Sequence, residues 1–375
     1  MSTTHATATP QATGRVKALH QLLAETVRQG ASDLHLTSGL EPRIRTHGEL
    51  LPMEGAPILD STAVLQILTE ALPEEKLAAF RKNRDTDLAY EMSTSAGDAI
   101  SSRFRVNLFM ENLGPAAVFR VIPTDVVPLS RLDLLPIVKK IASTARRGMI
   151  VVTGVTGSGK STTTSGIVDD VNDSRACRII TMEDPIEYVH KSKLATVSQR
   201  EIGRDTVSFS SALKHVLRQD PDVIFIGELR DPETIETALK AADTGHLVIA
   251  TLHTQSAKDT IGRIVGEFPA EARDRIQNKL ASVLTAIISQ TLVPKIKGGR
   301  VVAMEVMIPT DGIRNSIRMN KPEAIDQAMT DRSQGSIRLD SHLEELYRAG
   351  IIQRKHALDA AIYPDKLSKS LGSTF

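Results

Sequence analysis

The sequence has no tryptophan, and only four tyrosines and eight phenylalanines among its 375 residues. It has little with which to stack unpaired bases, so single-stranded nucleic acid is disfavoured as a ligand. Its one cysteine, Cys177, excludes an internal disulfide and any zinc site built on several thiolates. Neither sign of charge is in excess, with 46 Lys+Arg against 45 Asp+Glu, so no net field draws the chain to nucleic acid or anionic lipid. No window approaches the ~20 consecutive apolar residues of a membrane span, and the N-terminus lacks the apolar core of a signal peptide. These absences lead us to expect a cytoplasmic protein without direct membrane insertion, reaching any membrane through a partner.

What is present is concentrated in one stretch. Gly154 to Ser161 reads G-V-T-G-S-G-K-S, after the apolar run Met149-Ile150-Val151-Val152-Thr153 and before a helix-compatible segment, Ser161 to Asp170. Strand, glycine loop and helix in that order are the context in which G-x-x-x-x-G-K-[ST] means a phosphate-binding loop. Glycines let successive backbone N–H groups curl around phosphate oxygens, and the helix N-terminus adds partial positive charge. Gly154, Thr156, Gly157, Ser158, Gly159, Lys160, Ser161 and Thr162 are therefore the expected nucleotide-binding residues for ATP or GTP. Lys160 is to reach the β- and γ-phosphates, and the Ser161 hydroxyl is to ligate Mg²⁺.

The length suggests two domains. Residues 1–14, rich in Thr and Ala, are expected to be a disordered tail. Residues 15–122 read as a small α+β domain. Val16, Leu19, Leu22, Leu23 and Val27 fall at helical spacing, closed by Gly30, and Ser32–Thr37 and Pro42–Thr46 alternate as a hairpin. A helix over Ala63–Phe80 and strands over Leu88–Glu91, Ser102–Phe109 and Ala116–Ile122 complete it. Residues 123–147, punctuated by Pro123, Pro128 and Pro136, are the expected linker. From 148 to 375 strands and helices alternate: Met149–Thr153, Arg178–Met182, Val223–Ile226 and Leu247–Leu252 are strands, implying a mainly parallel sheet of α/β class. Lys279–Leu292 reads as a long amphipathic helix, Arg300–Ile308 as a strand, and the tail from Asp311 as helical.

In such sheets ligands bind beyond the carboxyl ends of the strands. The four strands end in the phosphate loop, in Glu183-Asp184-Pro185, in Gly227-Glu228 with Arg230 and Asp231 behind, and in His253. Phosphoryl transfer to water needs a metal, a group that orients the water, and positive charge for the transition state. Glu228 is the expected Mg²⁺-side carboxylate with Ser161, and Glu183 the residue that polarises the attacking water. His253, and His246 in Thr244-Gly245-His246, are candidate γ-phosphate sensors. Arg103, Arg105 and Arg120 lie in a basic segment; a solvated face accounts for them on charge alone, while action in trans on a neighbouring subunit's nucleotide would make turnover depend on assembly.

Together these stretches resemble the secretion-ATPase superfamily, and within it the type IV pilus retraction, or twitching-motility, ATPases of the PilT type. The resemblance runs from about Leu19 to Ile362. It rests on Ala31–Leu36 (A-S-D-L-H-L), Arg103–Asn107 (R-F-R-V-N), the phosphate loop, Ile180–Glu187 (I-T-M-E-D-P-I-E), Asp220–Asp231 (D-P-D-V-I-F-I-G-E-L-R-D) and Thr244–Thr254 (T-G-H-L-V-I-A-T-L-H-T). The last four match that superfamily's phosphate loop, aspartate box, Walker B box and histidine box. The resemblance implies a PAS-like domain followed by a RecA-like P-loop ATPase domain, assembled as a homo-hexamer at the inner face of the cytoplasmic membrane. It further implies Glu183 as catalytic glutamate, Glu228 as Walker B glutamate, His246 and His253 as the histidine box, and Arg103, Arg105 and Arg120 in the arginine-finger region. The partners it implies are an inner-membrane pilus platform protein and, indirectly, pilin, with ATP and Mg²⁺ as nucleotide and cofactor.

The short first domain and single cysteine favour the retraction branch over pilus-extension and type II secretion ATPases, which usually carry a longer N-terminal region and a four-cysteine zinc module. The retraction branch's C-terminal A-I-R-N-L-I-R-E reads here Gly312-Ile313-Arg314-Asn315-Ser316-Ile317-Arg318-Met319, keeping the Ile-Arg-Asn core. A nucleic-acid-dependent RecA-like translocase and a non-hydrolysing ring are the competing readings. Scarce aromatics and balanced charge oppose the first, and the pair Glu183 and Glu228 opposes the second.

Overall fold

The computed structural model describes residues 10–372 apart from 47–48, 93–101 and 123–125, and the chain divides into two compact units, Met1–Thr124 and Asp125–Phe375. The first opens with α1 (Pro10–Arg28), followed by β1 (Asp33–Thr37), β2 (Arg43–Thr46), β3 (Glu49–Pro52), α2 (Ser61–Ala71) and α3 (Glu74–Asn83). It closes with β4 (Asp85–Met92), β5 (Ser102–Glu111) and β6 (Gly114–Ile122). The six strands form one antiparallel sheet in the order β3-β2-β1-β6-β5-β4. Leu19 and Leu23 of α1, Val64 and Leu68 of α2, and Leu34, Phe104 and Phe119 of the sheet share its core. Each such side chain, fully removed from water, contributes about 1.5–3 kcal/mol.

Two expectations are corrected here. Residues 10–14, expected in the tail, open α1, while 1–9 lie outside the described residues. The helix read over Ala63–Phe80 is two, because Leu72 is extended and Pro73 cannot donate to a continuing helix.

The second unit begins with a 3₁₀ turn at Leu129–Arg131 and α4 (Pro136–Thr144). About half of the expected linker is thus helical, while Pro123 lies outside the described residues: Pro136 sits in the first turn of α4, where a missing N–H costs nothing, and Val138, Ile141 and Ala142 are buried. The α/β succession follows: β7 (Gly148–Thr153), α5 (Lys160–Ser174), β8 (Arg178–Glu183), β9 (Thr196–Glu201), α6 (Phe209–Val216), β10 (Val223–Ile226), α7 (Pro232–Asp243) and β11 (Leu247–Leu252). After it come α8 (Ala257–Gly266), α9 (Ala270–Val283), β12 (Leu284–Pro294) and β13 (Arg300–Met307). The tail is α10 (Asp311–Arg318), α11 (Pro322–Ala328), α12 (Leu339–Arg348), α13 (Arg354–Ala360) and α14 (Pro364–Ser370).

The sheet order is β13-β12-β7-β11-β10-β8-β9, parallel from β12 to β9, with β13 antiparallel at one edge. Every residue of β7 is buried: Met149 and Val151 join the core beneath α7 to α9, and Ile150 and Val152 that beneath α4 and α5. A strand covered on both faces reads as a continuous apolar run, which is why β7, β10 and β11 stood out.

The same property misled over Lys279–Leu292. α9 ends at Val283, and Leu284–Leu292 belong to β12, flanked by β7 and β13. A doubly buried strand and a buried helix segment carry the same unbroken apolar signal.

Candidate active site

The phosphate loop joins β7 to α5. Gly154, Gly157 and Gly159 hold φ of +142°, +80° and +89°, which side chains rarely adopt. The loop is also tight against its neighbour β12. A Cβ on Gly154 would overlap the Gln290 carbonyl oxygen and lie 2.5 Å from Ser158 Oγ, and one on Gly159 would come to 3.2 Å from Gln290 Nε2. Gln290 Nε2 donates to the Ser158 carbonyl at 2.8 Å, so this one β12 residue backs three loop positions. α5 has no side-chain N-cap, which leaves its first N–H groups for a ligand. Lys160 lies folded onto the loop, its Nζ donating to the Gly154 and Val155 carbonyls at 2.6 and 3.0 Å. Burial lowers its pKa against the opposing pull of Glu187 and Glu228.

A cleft of about 450 Å³ opens over this loop at the carboxyl ends of β7, β8, β10 and β11. Thr156, Gly157, Gly159, Lys160, Ser161 and Thr162 line it, together with Glu183, Glu228 and His253. Gly154 forms the turn out of β7, and Ser158, 2 % exposed, lies beneath the loop with its hydroxyl unpartnered among the described residues.

Glu183 closes β8 and is only 7 % exposed. Burial pushes its carboxyl up to about 7, against three donors that favour the ionised form. Thr181 Oγ1 and Gln199 Nε2 donate to Oε1 at 2.7 and 3.1 Å, and the Glu187 N–H points to Oε2 at 3.4 Å. A carboxyl balanced near neutrality suits a group that accepts a proton from water.

Glu228 follows β10, and its Oε2 accepts from Arg230 Nε at 2.7 Å while Arg230 also reaches Asp184 at 3.2 Å. His253 Nε2 lies 3.5 Å from Glu228 Oε1, and its Nδ1 3.4 Å from Lys160 Nζ. An imidazole accepting at Nδ1 and donating from Nε2 satisfies both neighbours. Phosphate lysine, Walker-type carboxylate and histidine thus form one chain across the cleft.

His246 is not brought to this cleft. It precedes β11, at the amino end of the sheet, and its Nδ1 meets the Ala241 carbonyl at 2.9 Å, closing the last turn of α7. The six residues of β11 put roughly 20 Å between it and His253. Arg103, Arg105 and Arg120 belong to the first unit: Arg103 is buried on β5, while Arg105 and Arg120 are exposed and opposite each other on β5 and β6. Arg120 donates to Asp33 Oδ1 at 2.8 Å. Burial would push the Asp33 carboxyl up, but Ser32 and Arg120 hold it below the usual range.

Sequence reasoning missed the residues that hold these groups in place. A strap over 185–195 crosses α5, with Tyr188 OH 3.0 Å from Thr162 Oγ1 and His190 Nε2 3.2 Å from Ser165 Oγ. Gln199, on the overlooked strand β9, and Gln290, on the misread β12, carried no signal beyond being polar within strands.

Among the described residues no group of three or more His, Cys, Asp or Glu could hold a metal ion alone. The donors present, the Ser161 hydroxyl and the Glu228 carboxylate at the rim of a phosphate loop, fit a Mg²⁺ ion that arrives with nucleotide phosphates and keeps its waters. No helix among the described residues is long and apolar enough to cross a membrane.

Comparison with known proteins agrees with this geometry. The family model described as "Type II/IV secretion system protein" matches residues 11–355. The chain is 44% identical over 346 residues to the type IV pilus retraction ATPase PilT of Pseudomonas aeruginosa, spanning 92% of this chain and 98% of that one. It is 41% identical to a twitching motility protein of Neisseria gonorrhoeae, covering 87% and 86% of the two chains. The crystal structure of the pilus retraction motor PilT with bound ADP superposes with a TM-score of 0.85 at 40% identity, over 92% of this chain and 97% of the other. The Legionella pneumophila ATPase DotB follows the same fold, with a TM-score of 0.77 at 27% identity, over 91% and 94% of the two chains. With an N-terminal domain ahead of a RecA-like ATPase domain, the chain belongs to the type II/IV secretion system ATPase family, on its PilT-type pilus retraction branch.

Proposed function

We propose that the chain is an ATP-driven motor of type IV pilus retraction, acting as a homo-hexamer at the inner face of the cytoplasmic membrane through a pilus platform protein. The observation that carries the enzymatic half is the convergence of Lys160, Glu183, Glu228 and His253 on one cleft at the carboxyl edge of the sheet. The loop N–H groups and Lys160 bind the phosphates, Glu183 accepts the proton of the attacking water, and His253 relays contact between Lys160 and Glu228. Ser161 and Glu228 would hold Mg²⁺, which supplies charge neutralisation between the phosphate oxygens when bound. Arg103, Arg105 or Arg120 of an adjoining protomer is the source of transition-state positive charge, a contribution worth ~10³–10⁵ in rate in other phosphohydrolases.

The test has two parts. Purified Glu183→Gln is expected to bind ADP like the parent and lose at least a hundredfold in ATP turnover; a parental rate would remove Glu183 from this role. In cells lacking the protein, surplus pili without twitching support retraction. Bald cells would reassign the motor to extension.

A further inference from the structure

The loop between β8 and β9 returns over α5, and one side chain of β9 reaches back through it. Gln199 makes three hydrogen bonds with three different partners. Its Nε2 donates to Glu183 Oε1 at 3.1 Å and to the Tyr188 carbonyl at 2.8 Å, and its Oε1 accepts from the His190 N–H at 2.7 Å. The first partner is the carboxylate of the cleft. The other two are backbone groups of the strap that rests on Thr162 and Ser165, in the first turns of the phosphate-loop helix.

Gln199 is not among the residues that line the cleft. It is half-buried and parallel-paired in the ladder opposite Thr181, the other side-chain donor to the same carboxylate oxygen. Two donors on one oxygen fix the plane of a carboxylate and leave its second oxygen directed elsewhere. Among the described residues that second oxygen meets only the long approach of the Glu187 N–H, at 3.4 Å.

We propose that Gln199 is the positioning residue of the hydrolytic centre: it sets the direction of the Glu183 carboxylate and ties that direction to the strap over α5. Closure of the phosphate loop on a nucleotide is then transmitted through Tyr188 and His190 to the group that activates water. This rests on the reading of Glu183 given above. Charged and titratable groups sharing the cleft are Asp184, Glu187, Tyr188 and His190 on its own segment, Glu228 and Arg230 after β10, Lys160 on α5, His253 after β11 and Arg300 of β13, with Glu201 opposite in the ladder. Of these, Glu187 adds to the burial that raises the Glu183 carboxyl, whereas the Gln199 and Thr181 donors lower it. Losing a donor to an ionised group therefore moves the proton affinity of Glu183 upward, by about one unit.

The experiment compares Gln199→Met and Gln199→Glu with the parent and with Glu183→Gln, reading ADP affinity by calorimetry and kcat for ATP from pH 5.5 to 9. For Gln199→Met, ADP affinity is expected to stay within twofold. Its kcat at pH 7 should fall about fivefold as the acid limb moves up about one unit, with recovery toward pH 9. Gln199→Glu, of the same volume but adding a second carboxylate, should move the limb further, and it decides the matter where Gln199→Met does not fold. A limb at the parental pH in both variants, with or without a uniform fall in kcat, overturns the proposal while Glu183→Gln stays inactive. A fully active Glu183→Gln removes instead the reading on which it rests.

Discussion

Replacing Gly154 by alanine is the sharpest test of how the phosphate loop is built. Its φ of +142° carries a conformational cost of order 1–3 kcal/mol for any residue with a Cβ. The added carbon would also overlap the Gln290 carbonyl oxygen and stand 2.5 Å from Ser158 Oγ. The hydroxyl can rotate away; the carbonyl cannot, because β12 is held between β7 and β13, with Ser289 opposite Thr153 and Gln290 opposite Met304. Forcing a methyl group into such a place costs typically a further 1–3 kcal/mol, so about 2–6 kcal/mol in all. Gly157→Ala is the control: its φ of +80° is also strained, but its Cβ meets open space, leaving about 1–2 kcal/mol. Gly159→Ala should fall between, since the atom it approaches is the end of a flexible amide.

Urea unfolding of nucleotide-free protein followed by circular dichroism would rank the three variants. Calorimetric ADP titration should show Gly154→Ala at least tenfold weaker than the parent, because the loop can relieve the overlap only by turning its N–H groups away. Equal losses in Gly154→Ala and Gly157→Ala, or a Gly154→Ala variant as stable as the parent, would refute the claim that β12 fixes the loop.

Further expectations concern charge and polar groups. Lys160→Ala removes the cation of the loop and should weaken ADP about 10- to 100-fold, the worth of a bond between charged partners, by the same titration. Glu305 on β13 is buried and pushed up to about 7 by that burial, although it accepts from the N–H groups of Ala257 and Leu339. A carboxyl raised above its unfolded value binds more protons in the folded state between about pH 4.5 and 7, so its burial lowers stability as pH rises through that window, by up to about 3 kcal/mol. Glu183 acts with the same sign, so urea unfolding from pH 5.5 to 8 should show a flatter slope in Glu305→Gln than in the parent, but not a reversed one. Arg314 of α10 donates to the carbonyls of Ala281, Ser282 and Leu284, where α9 turns into β12. Arg314→Ala should cost about 1–3 kcal/mol in thermal unfolding, with incomplete rescue by Arg314→Lys, whose single ammonium cannot span three acceptors.

The chemistry-bearing ends of β7, β8, β10 and β11 were legible because each follows an unbroken apolar run, and a parallel sheet brings such ends to one edge. His253 was legible for that reason, and His246 was not: it lies within the same short segment as His253, but on the far side of a whole strand. Residue type and nearness in sequence could not reveal that β11 separates them. The helix over Ala63–Phe80 failed at a visible signal, Pro73, whereas Lys279–Leu292 failed where no local signal exists. Leu284, Ile287 and Ile288 suit the buried face of a helix as well as they suit β12.

The residues that position the site were illegible for a further reason. Gln199 sits in T-V-S-Q-R-E, a polar edge strand whose membership of the sheet comes from pairing with β8 rather than from burial. Gln290 sits in a strand one of whose two neighbours, β7 with the phosphate loop at its end, lies more than a hundred positions away in the sequence. Both amides have work to do only because the fold carries a reactive segment past them, Glu183 past one and the phosphate loop past the other. The groups that bind or react can be read from their own sequence neighbourhoods. The groups that aim them follow from the order of strands, and so their identity has to be tested by variants that change hydrogen bonding while keeping volume.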